Sequence, residues 1–448
     1  MTLPAPSPAR RAPNRSSLAL LAACLLAACA SLDLERTMSA VGGGAGIGPA
    51  LDAPPTTPDP AGPATCAARR QRVAAALGDG VLAIEAGADS DEGRYAAADD
   101  FWWLTAVSVP DALLLLEAEA GLLVRERLYL PERDERHELW NGPRLAPGAE
   151  ATAVSGIADT RPFAAIETDV LALADAGASF RGAGARVERL LSERGVALDG
   201  GLRWLHDVQA VKDADEIAVM RAVVAITEAA LADAMVAAVP GRFEYTAEAV
   251  LEAGFRRRGA SGFAFPSIAG SGINGCILHY RDNARRLERG DLLLMDVGAK
   301  LYHYSADVTR TFPVSGRFTP RQLAVYTAVY EASRAAAAVL RPGATLAEAN
   351  EVARQVLAAH GGYEAYFPHS VGHGLGLQVH DRPGFRDALE PGMVVTIEPG
   401  AYLAAEAIGV RIEDDYLITA DGAELLSDAI PTEPAALEAF LARIRADR

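Results

Sequence analysis

The chain reads as a mixed α/β (α+β) protein, with a small N-terminal α/β domain followed by a larger domain made of two copies of one half. Three observations predict this. Apolar strands alternate with helical stretches in the first 200 or so residues. Capped helices open the second part, at Asp213 and again at Thr319. Two stretches about a hundred residues apart also say nearly the same thing. Leu287-Glu288-Arg289-Gly290 is followed by five residues and Asp296-Val297-Gly298; Leu389-Glu390-Pro391-Gly392 is followed by five residues and Glu398-Pro399-Gly400.

At 448 residues and 50% hydrophobic composition, the chain can bury large cores, and its length suggests two domains plus a tail. Its formal charge is −17, from 59 acidic against 42 basic residues. That balance offers no net attraction to phosphate and argues against nucleic acid as a partner.

Residues 1–29 have the pattern of a lipoprotein-type signal peptide. Arg10, Arg11 and Arg15 precede an apolar run from Leu18 to Ala28 that is short for a bilayer span. The run ends in Leu26-Ala27-Ala28-Cys29, which resembles a bacterial lipobox with Cys29 as the lipid anchor. The earlier Leu21-Ala22-Ala23-Cys24 leaves the acylated cysteine open, and an ordinary cleaved signal peptide is the simpler alternative. Either way the expected location is the bacterial cell envelope; Ala30 after the cysteine fits outer-membrane sorting. Residues 30–65 read as a linker, since Ala40 to Ala64 is rich in Gly, Pro, Ala and Thr without an apolar period. Cys66 and Cys276 are too few for a disulfide framework, although a bridge between them is conceivable in an oxidising envelope.

The first folded domain is expected over 66–205. A helix is expected around Ala67 to Leu77, and strands at Val81 to Ile84, Ala112 to Glu117 and Gly121 to Leu130. Phe101-Trp102-Trp103-Leu104 reads as core or domain contact rather than ligand site. The second domain, 206–448, starts with a helix whose Asp213 and Glu216 have capping-box spacing. Thr319-Pro320-Arg321-Gln322 opens another, with proline at the first helical position, and Thr345 with Glu348 a third.

The repeat runs through the whole second domain. Helix, Pro-Gly, helix, Phe-Pro, histidine strand, Leu-Glu-x-Gly strand and acid hairpin occur twice. Pro240-Gly241, Phe265-Pro266, His279, Asp296 and Asp307 match Pro342-Gly343, Phe367-Pro368, His380, Glu398 and Glu413. A pseudo-twofold axis would bring both acid hairpins to one centre.

Asp296 and Asp307 flank a hairpin; with its turn near Lys300 to Tyr302 they would sit across from each other on neighbouring strands. Glu398 and Glu413 can do the same. Four buried carboxylates repel one another and cost several kcal/mol per ion to desolvate unless cations compensate them. Two divalent metals answer that demand, with a nitrogen ligand from His373 or a neighbour. Such a set suits Mn²⁺, Co²⁺, Fe²⁺ or Zn²⁺ better than thiolate-seeking ions. The chemistry that follows is hydrolysis of a polarised carbonyl. His137, His206, His303 and His360 lie outside the repeated motifs and read as ordinary histidines. His279, His369, His373 and His380 gather near the acids, the last three in a glycine-dense segment that permits close approach to a ligand.

At these residues the chain resembles the metallopeptidases of the pita-bread (creatinase/aminopeptidase-like) fold, and most of all aminopeptidase P. The resemblance runs from about Cys66 to the C-terminus. It rests on Asn274-Gly275-Cys276-Ile277-Leu278-His279-Tyr280, Asp307-Val308-Thr309-Arg310-Thr311-Phe312, and His373 with Val379-His380-Asp381. Thr396-Ile397-Glu398-Pro399-Gly400 and Val410-Arg411-Ile412-Glu413-Asp414-Asp415 complete it, with Asp100-Phe101-Trp102 and Trp140-Asn141-Gly142 in the leading domain.

The resemblance implies that Asp296 binds one metal through one or both oxygens, that His373 and Glu398 bind the other, and that Asp307 and Glu413 bridge. It implies Glu398 as base, His279 and His380 as substrate-holding catalytic residues, and His369 and Arg411 on the proline side of the pocket. It further implies manganese, proline-containing peptides as substrates, and a homo-oligomer. A substrate-gripping acid would be Asp89 or Asp91. His303 and Ala306 depart from the family, which commonly has glycines there. The expected activity is removal of an N-terminal residue that precedes proline. A proline dipeptidase with the same metal site is the alternative, and a metal-free binding module on this fold would have lost ligand residues that this chain keeps.

Overall fold

The protein is described by a computed structural model over residues 60–88 and 95–446. The targeting segment, nearly all of the linker, and Asp89 and Asp91 lie outside the described residues. Among the described residues no helix is long and apolar enough to cross a membrane.

The N-terminal domain is built on a mixed sheet. β1 (Gly80–Glu85), β2 (Leu113–Glu119) and β3 (Leu122–Leu130) run antiparallel in succession. β4 (Thr160–Pro162) joins β3 in parallel, β5 (Phe180–Ala183) joins β1, and β6 (Leu198–Asp199) joins β5. The order is β4-β3-β2-β1-β5-β6. The unbroken apolar run Leu113 to Leu116 is explained by burial on both faces. Leu114 and Leu116 pack with Val73 and Leu77 of helix α1 (Pro63–Leu77) and with Phe101 of α2 (Asp99–Thr105). Leu113 and Leu115 pack with Val170 of α3 (Ile166–Asp175) and Val187 of α4 (Ala185–Ser192). The Phe101–Trp103 cluster is core, as expected, and its apolar cluster continues into the second domain.

A short helix, α5 (Arg203–Ala210), leads to α6 (Ala214–Ala237), whose Asp213–Glu216 capping box is formed in both directions. Glu216 does a second job. Its Oε1 accepts from Trp103 Nε1 at 2.7 Å and from the Tyr304 hydroxyl at 2.5 Å, with the Arg69 guanidinium 3.5 Å away. One buried carboxylate therefore ties α1 and α2 to the second domain.

The second domain repeats as expected. The first half pairs α6 with α7 (Glu244–Arg257), and the second pairs α8 (Pro320–Ala337) with α9 (Leu346–Ala359). Capping boxes at Thr319 and Thr345 start α8 and α9. In the first half a two-residue strand β7 (Gly262–Phe263) precedes β8 (Ile268–Ser271), and β8 flanks β9 (Leu292–Val297). The chain turns back through β10 (Ala299–Leu301) and β11 (Tyr304–Ser305) into β12 (Val308–Pro313), which pairs with β9. The second half has β13 (Val394–Ile397), the hairpin β14 (Gly400–Leu403) and β15 (Ile408–Arg411), then β16 (Asp414–Ile418) and β17 (Ala423–Leu425). A C-terminal helix, α10 (Pro434–Ala446), closes the domain.

Two expectations need correction. Asp296 pairs with Thr309, not Asp307, because the turn centres on Tyr302 and His303. The aspartates are therefore diagonal neighbours. The histidine segments are also not strands: His279 follows a 3₁₀ turn at Gly272–Cys276, and His380 lies in a turn. The glycines before His380 serve backbone packing rather than ligand approach. A Cβ on Gly372 would lie 2.0 Å from the Thr396 carbonyl oxygen, and one on Gly374 2.3 Å from Arg382 backbone. They let the loop lie flat on β13.

Candidate metal centre

The two acid hairpins meet at Thr309 and Glu413. These residues form an antiparallel bridge, and the Glu413 N–H donates to the Thr309 carbonyl at 3.1 Å. The Thr309 hydroxyl also donates to Glu413 Oε2 at 2.7 Å. Around this junction a cavity of about 450 Å³ is lined by His279, Asp296, Asp307, His369, His373, His380, Glu398, Arg411 and Glu413, together with Leu278 and Ser370. All nine residues singled out from sequence thus share one cavity, although they come from both halves.

The polar atoms here are arranged for a guest. His373 Nδ1 donates to the Gly374 carbonyl at 3.0 Å, which leaves Nε2 with its lone pair facing the acids. Nε2 stands 3.6 Å from Asp307 Oδ2, 3.7 Å from Glu398 Oε1 and 3.9 Å from Glu413 Oε1. These gaps are too long for hydrogen bonds. They are close to the separation of ligand atoms that each sit ~2.0–2.2 Å from one ion. Ligand atoms of Asp307, His373 and Glu413 all fall within 4.8 Å of one another. Asp296 Oδ1, Asp307 Oδ1 and Glu413 Oε1 are buried without a hydrogen-bond partner. Orphaned carboxylate oxygens in a buried site are the atoms a cation would satisfy. The residues present fit a divalent metal centre.

Electrostatics agree. Burial, then Glu413 and Asp296, holds the Asp307 carboxyl well above the usual range. Burial, then Glu398 and Asp296, does the same to Glu413. Burial pushes Glu398 up to about 8, with Arg411 opposing the rise and Asp296 adding to it. Burial lowers His373 to about 4, so its imidazole is neutral, the form that ligates.

A wall of hydrogen bonds flanks the acids. Arg411 Nη2 donates to Asp296 Oδ2 at 2.6 Å, its Nη1 to the Tyr402 hydroxyl at 2.9 Å, and its Nε to Thr309 Oγ1 at 3.2 Å. With Nδ1 of His369 donating to the Ser370 carbonyl, the Tyr402 hydroxyl donates to His369 Nε2 at 2.8 Å. Burial lowers His369 to about 4 and keeps it neutral. Arg411 thus donates to Oδ2 of Asp296, while Oδ1 of Asp296 is buried without a hydrogen-bond partner. His380 packs edge-on against His373, with ring centroids 4.4 Å apart, and is exposed to the cavity, as is His279.

Comparisons with known proteins place this geometry. The model of metallopeptidase family M24 matches residues 218–420, and that of the aminopeptidase P N-terminal domain matches 66–179. The Xaa-Pro aminopeptidase of Escherichia coli (strain K12) is 34% identical over 404 residues, covering 80% of this chain and 91% of that protein. The chain belongs to metallopeptidase family M24. Mouse Xaa-Pro aminopeptidase 3 is 29% identical over 77% of this chain and 76% of its own length. Among solved structures, a putative aminopeptidase P from Bacillus anthracis superposes with a TM-score of 0.80 at 27% identity, over 86% of this chain and all of that one. An aminopeptidase from Pseudomonas aeruginosa gives 0.74 at 33%, over 85% and 98%.

This M24 peptidase is thus a pita-bread metallopeptidase close to aminopeptidase P, with an N-terminal domain of the same kind. Sequence reasoning missed several members of its centre. Tyr402 links Arg411 to His369, and Asp415 accepts the Asp307 N–H at 3.2 Å from behind. Asp415 was visible inside the Val410–Asp415 motif, whereas Tyr402 carried no local signal. Cys66 and Cys276 are unbridged.

Proposed function

We propose that the protein is a metal-dependent Xaa-Pro aminopeptidase. The observation that carries this reading is the cavity itself: four carboxylates and one neutral imidazole converge on it, with three orphaned carboxylate oxygens. Asp296, Asp307, His373, Glu398 and Glu413 would hold two divalent metal ions. Bound there, the ions supply Lewis acidity to the scissile carbonyl and acidify water.

The chain's own groups do the rest. Glu398 lines the cavity and takes the proton of the attacking water in its carboxylate form, the form that bound cations favour. His279 and His380, exposed to the cavity, hold the peptide and donate to the oxygen on which charge develops. His369 is held neutral and fixed by Tyr402, and with Arg411 it shapes the side that receives proline. Proline is a tertiary amide with a fixed ring, so a preformed wall suits it. The relatives carry Xaa-Pro aminopeptidase as their name, and one solved E. coli aminopeptidase P holds the inhibitor Pro-Leu.

The family resemblance favours manganese, within a carboxylate-rich set with one imidazole that equally suits Co²⁺, Fe²⁺ or Zn²⁺. Quantifying bound metal after purification tests that choice. Incubation with manganese and a tripeptide carrying proline second should release the first amino acid. No release with any candidate metal overturns the reading, and turnover confined to dipeptides would make the protein a proline dipeptidase. Envelope anchoring through Cys29 predicts that Cys29→Ala shifts the protein from the membrane to the soluble fraction. Sedimentation of the purified chain reads the expected homo-oligomer.

A further inference from the structure

The centre opens into a second recess of about 320 Å³, which shares His279, Asp296, Asp307 and His380 with the first cavity. The wall of His369 and Arg411 belongs to the first cavity alone. The recess instead continues over an apolar floor of Phe265, Ile268 and Val379 to a rim that carries Arg281 and Gln378.

The rim residues are uncommitted. Among the described residues, the Arg281 guanidinium and the Gln378 amide make no side-chain hydrogen bond or ion pair, and both residues are exposed. Nearby arginines behave otherwise. Arg285 is spent on Asp291 at 2.5 Å and Ser271 at 2.7 Å, Arg411 on Asp296, and Arg382 on Asp207 at 2.5 Å. Arg281 lines the same recess as Asp296 and Asp307 without pairing with either. It stands as a free guanidinium fork, a group matched to carboxylate geometry. The floor suits methylene groups and the rim suits a charged end.

We propose that this recess receives the side chain of the residue preceding proline, and that Arg281, aided by Gln378, selects a carboxylate there. The enzyme then favours peptides that begin Glu-Pro. Glutamate is preferred over aspartate, because its longer stem covers the apolar floor while its carboxylate reaches the rim. This inference rests on the reading above that proline sits against His369 and Arg411, so that the residue before it falls on the other side of the scissile bond.

The test uses the full-length, manganese-loaded protein and four tripeptides: Glu-Pro-Gly, Gln-Pro-Gly, Ala-Pro-Gly and Lys-Pro-Gly. The expected kcat/KM for Glu-Pro-Gly exceeds that for Lys-Pro-Gly roughly ten-fold, the scale of a partly solvated charge-assisted hydrogen bond. Gln-Pro-Gly should fall between. Arg281→Gln should bring the ratio near one and Arg281→Glu should invert it, each ratio being read within one variant and so independent of that variant's overall rate. High salt should shrink the ratio in the wild type by screening. A ratio unchanged in Arg281→Glu, or one that follows charge at the third residue instead of the first, overturns the proposal. Calorimetric binding of the same peptides in a Glu398→Gln background carries the same comparison without cleavage. Failure to cleave Ala-Pro-Gly thus counts against the aminopeptidase reading, whereas equal binding of the glutamate and lysine peptides counts against Arg281.

Discussion

The two acid hairpins descend from one sequence pattern yet differ in register and in what holds their tips. In the second, Ile397 faces Asp414 and Gly400 faces Arg411, so the register carries Glu398 straight across to Glu413. In the first, Thr309 takes the place opposite Asp296 and Asp307 is displaced along the strand. That offset matters, because Thr309 is the residue through which the hairpins touch. It supports Glu413 and receives Arg411, two jobs that a fifth carboxylate could not do without adding repulsion. The tips diverge as well. The first reaches the N-terminal domain, where His303 stacks on Trp102 at 4.4 Å and its Nδ1 lies 2.7 Å from Asp99 Oδ1. The second stays within its own domain, where Glu406 pairs with Arg321 of α8 at 2.7 Å. A duplicated half can thus keep one chemistry at its base while each copy's tip acquires a separate structural task.

The largest effect should come from the shared base of the hairpins. Glu413→Gln removes a ligand oxygen and should lower peptidase activity by roughly 10³-fold or more, with bound metal falling below that of the wild type. Metal quantification beside the rate distinguishes a lost ion from a slow one. The Thr309→Val substitution probes the offset. It keeps the strand but leaves Glu413 unsupported, so metal affinity should drop by about 10–100-fold, as measured by competition with a chelating dye. Affinity equal to wild type would mean that the register difference is incidental.

Chelation should expose the electrostatic strain of the centre. Asp307, Glu398 and Glu413 all hold protons more tightly in the fold than in the unfolded chain. Their contribution to stability is complete below the ordinary carboxyl values, 3.8 for Asp307 and 4.5 for the two glutamates, and is lost as pH rises through about 8 for Glu398. The Tm of chelated protein should therefore fall between about pH 5 and about pH 8, while metal-loaded protein changes much less. Parallel curves would show that no cation compensates the cluster.

At the tips the effects should be smaller and unequal. His303→Ala removes the stack on Trp102 and the contact with Asp99, and should cost about 1–2 kcal/mol in chemical denaturation while leaving kcat little changed. Glu406→Gln breaks only an exposed ion pair and should leave the unfolding midpoint within error of the wild type. A larger loss at Glu406 than at His303 would reverse the contrast between a tip anchored on the N-terminal domain and one held only by an exposed ion pair.

Much of this was legible beforehand because the signals were local. Capping boxes at Asp213, Thr319 and Thr345 appear as read, since a cap needs only residues three apart. The nine site residues share a cavity: the duplicated motifs pointed to His279, Asp296, Asp307, His380, Glu398 and Glu413, the glycine-dense segment to His369 and His373, and the family resemblance to Arg411. The diagonal placement of Asp296 and Asp307 was misread because a turn shifted by one residue moves the partner by two, and nothing near Lys300 marks that choice. His303 seemed an ordinary histidine because its partners, Asp99 and Trp102, lie some 200 positions away in the chain.

Sequence alone determined which residues carry charge, where the three helices with capping boxes begin, and that one half occurs twice, because these are matters of residue type and short spacing. Tertiary structure alone decided that Thr309 joins the two hairpins, that Tyr402 couples Arg411 to His369, and that Glu216 locks the N-terminal domain to Tyr304. Those contacts depend on how packed elements meet, and hydrogen-bond geometry at a few ångströms is set only after the cores have closed.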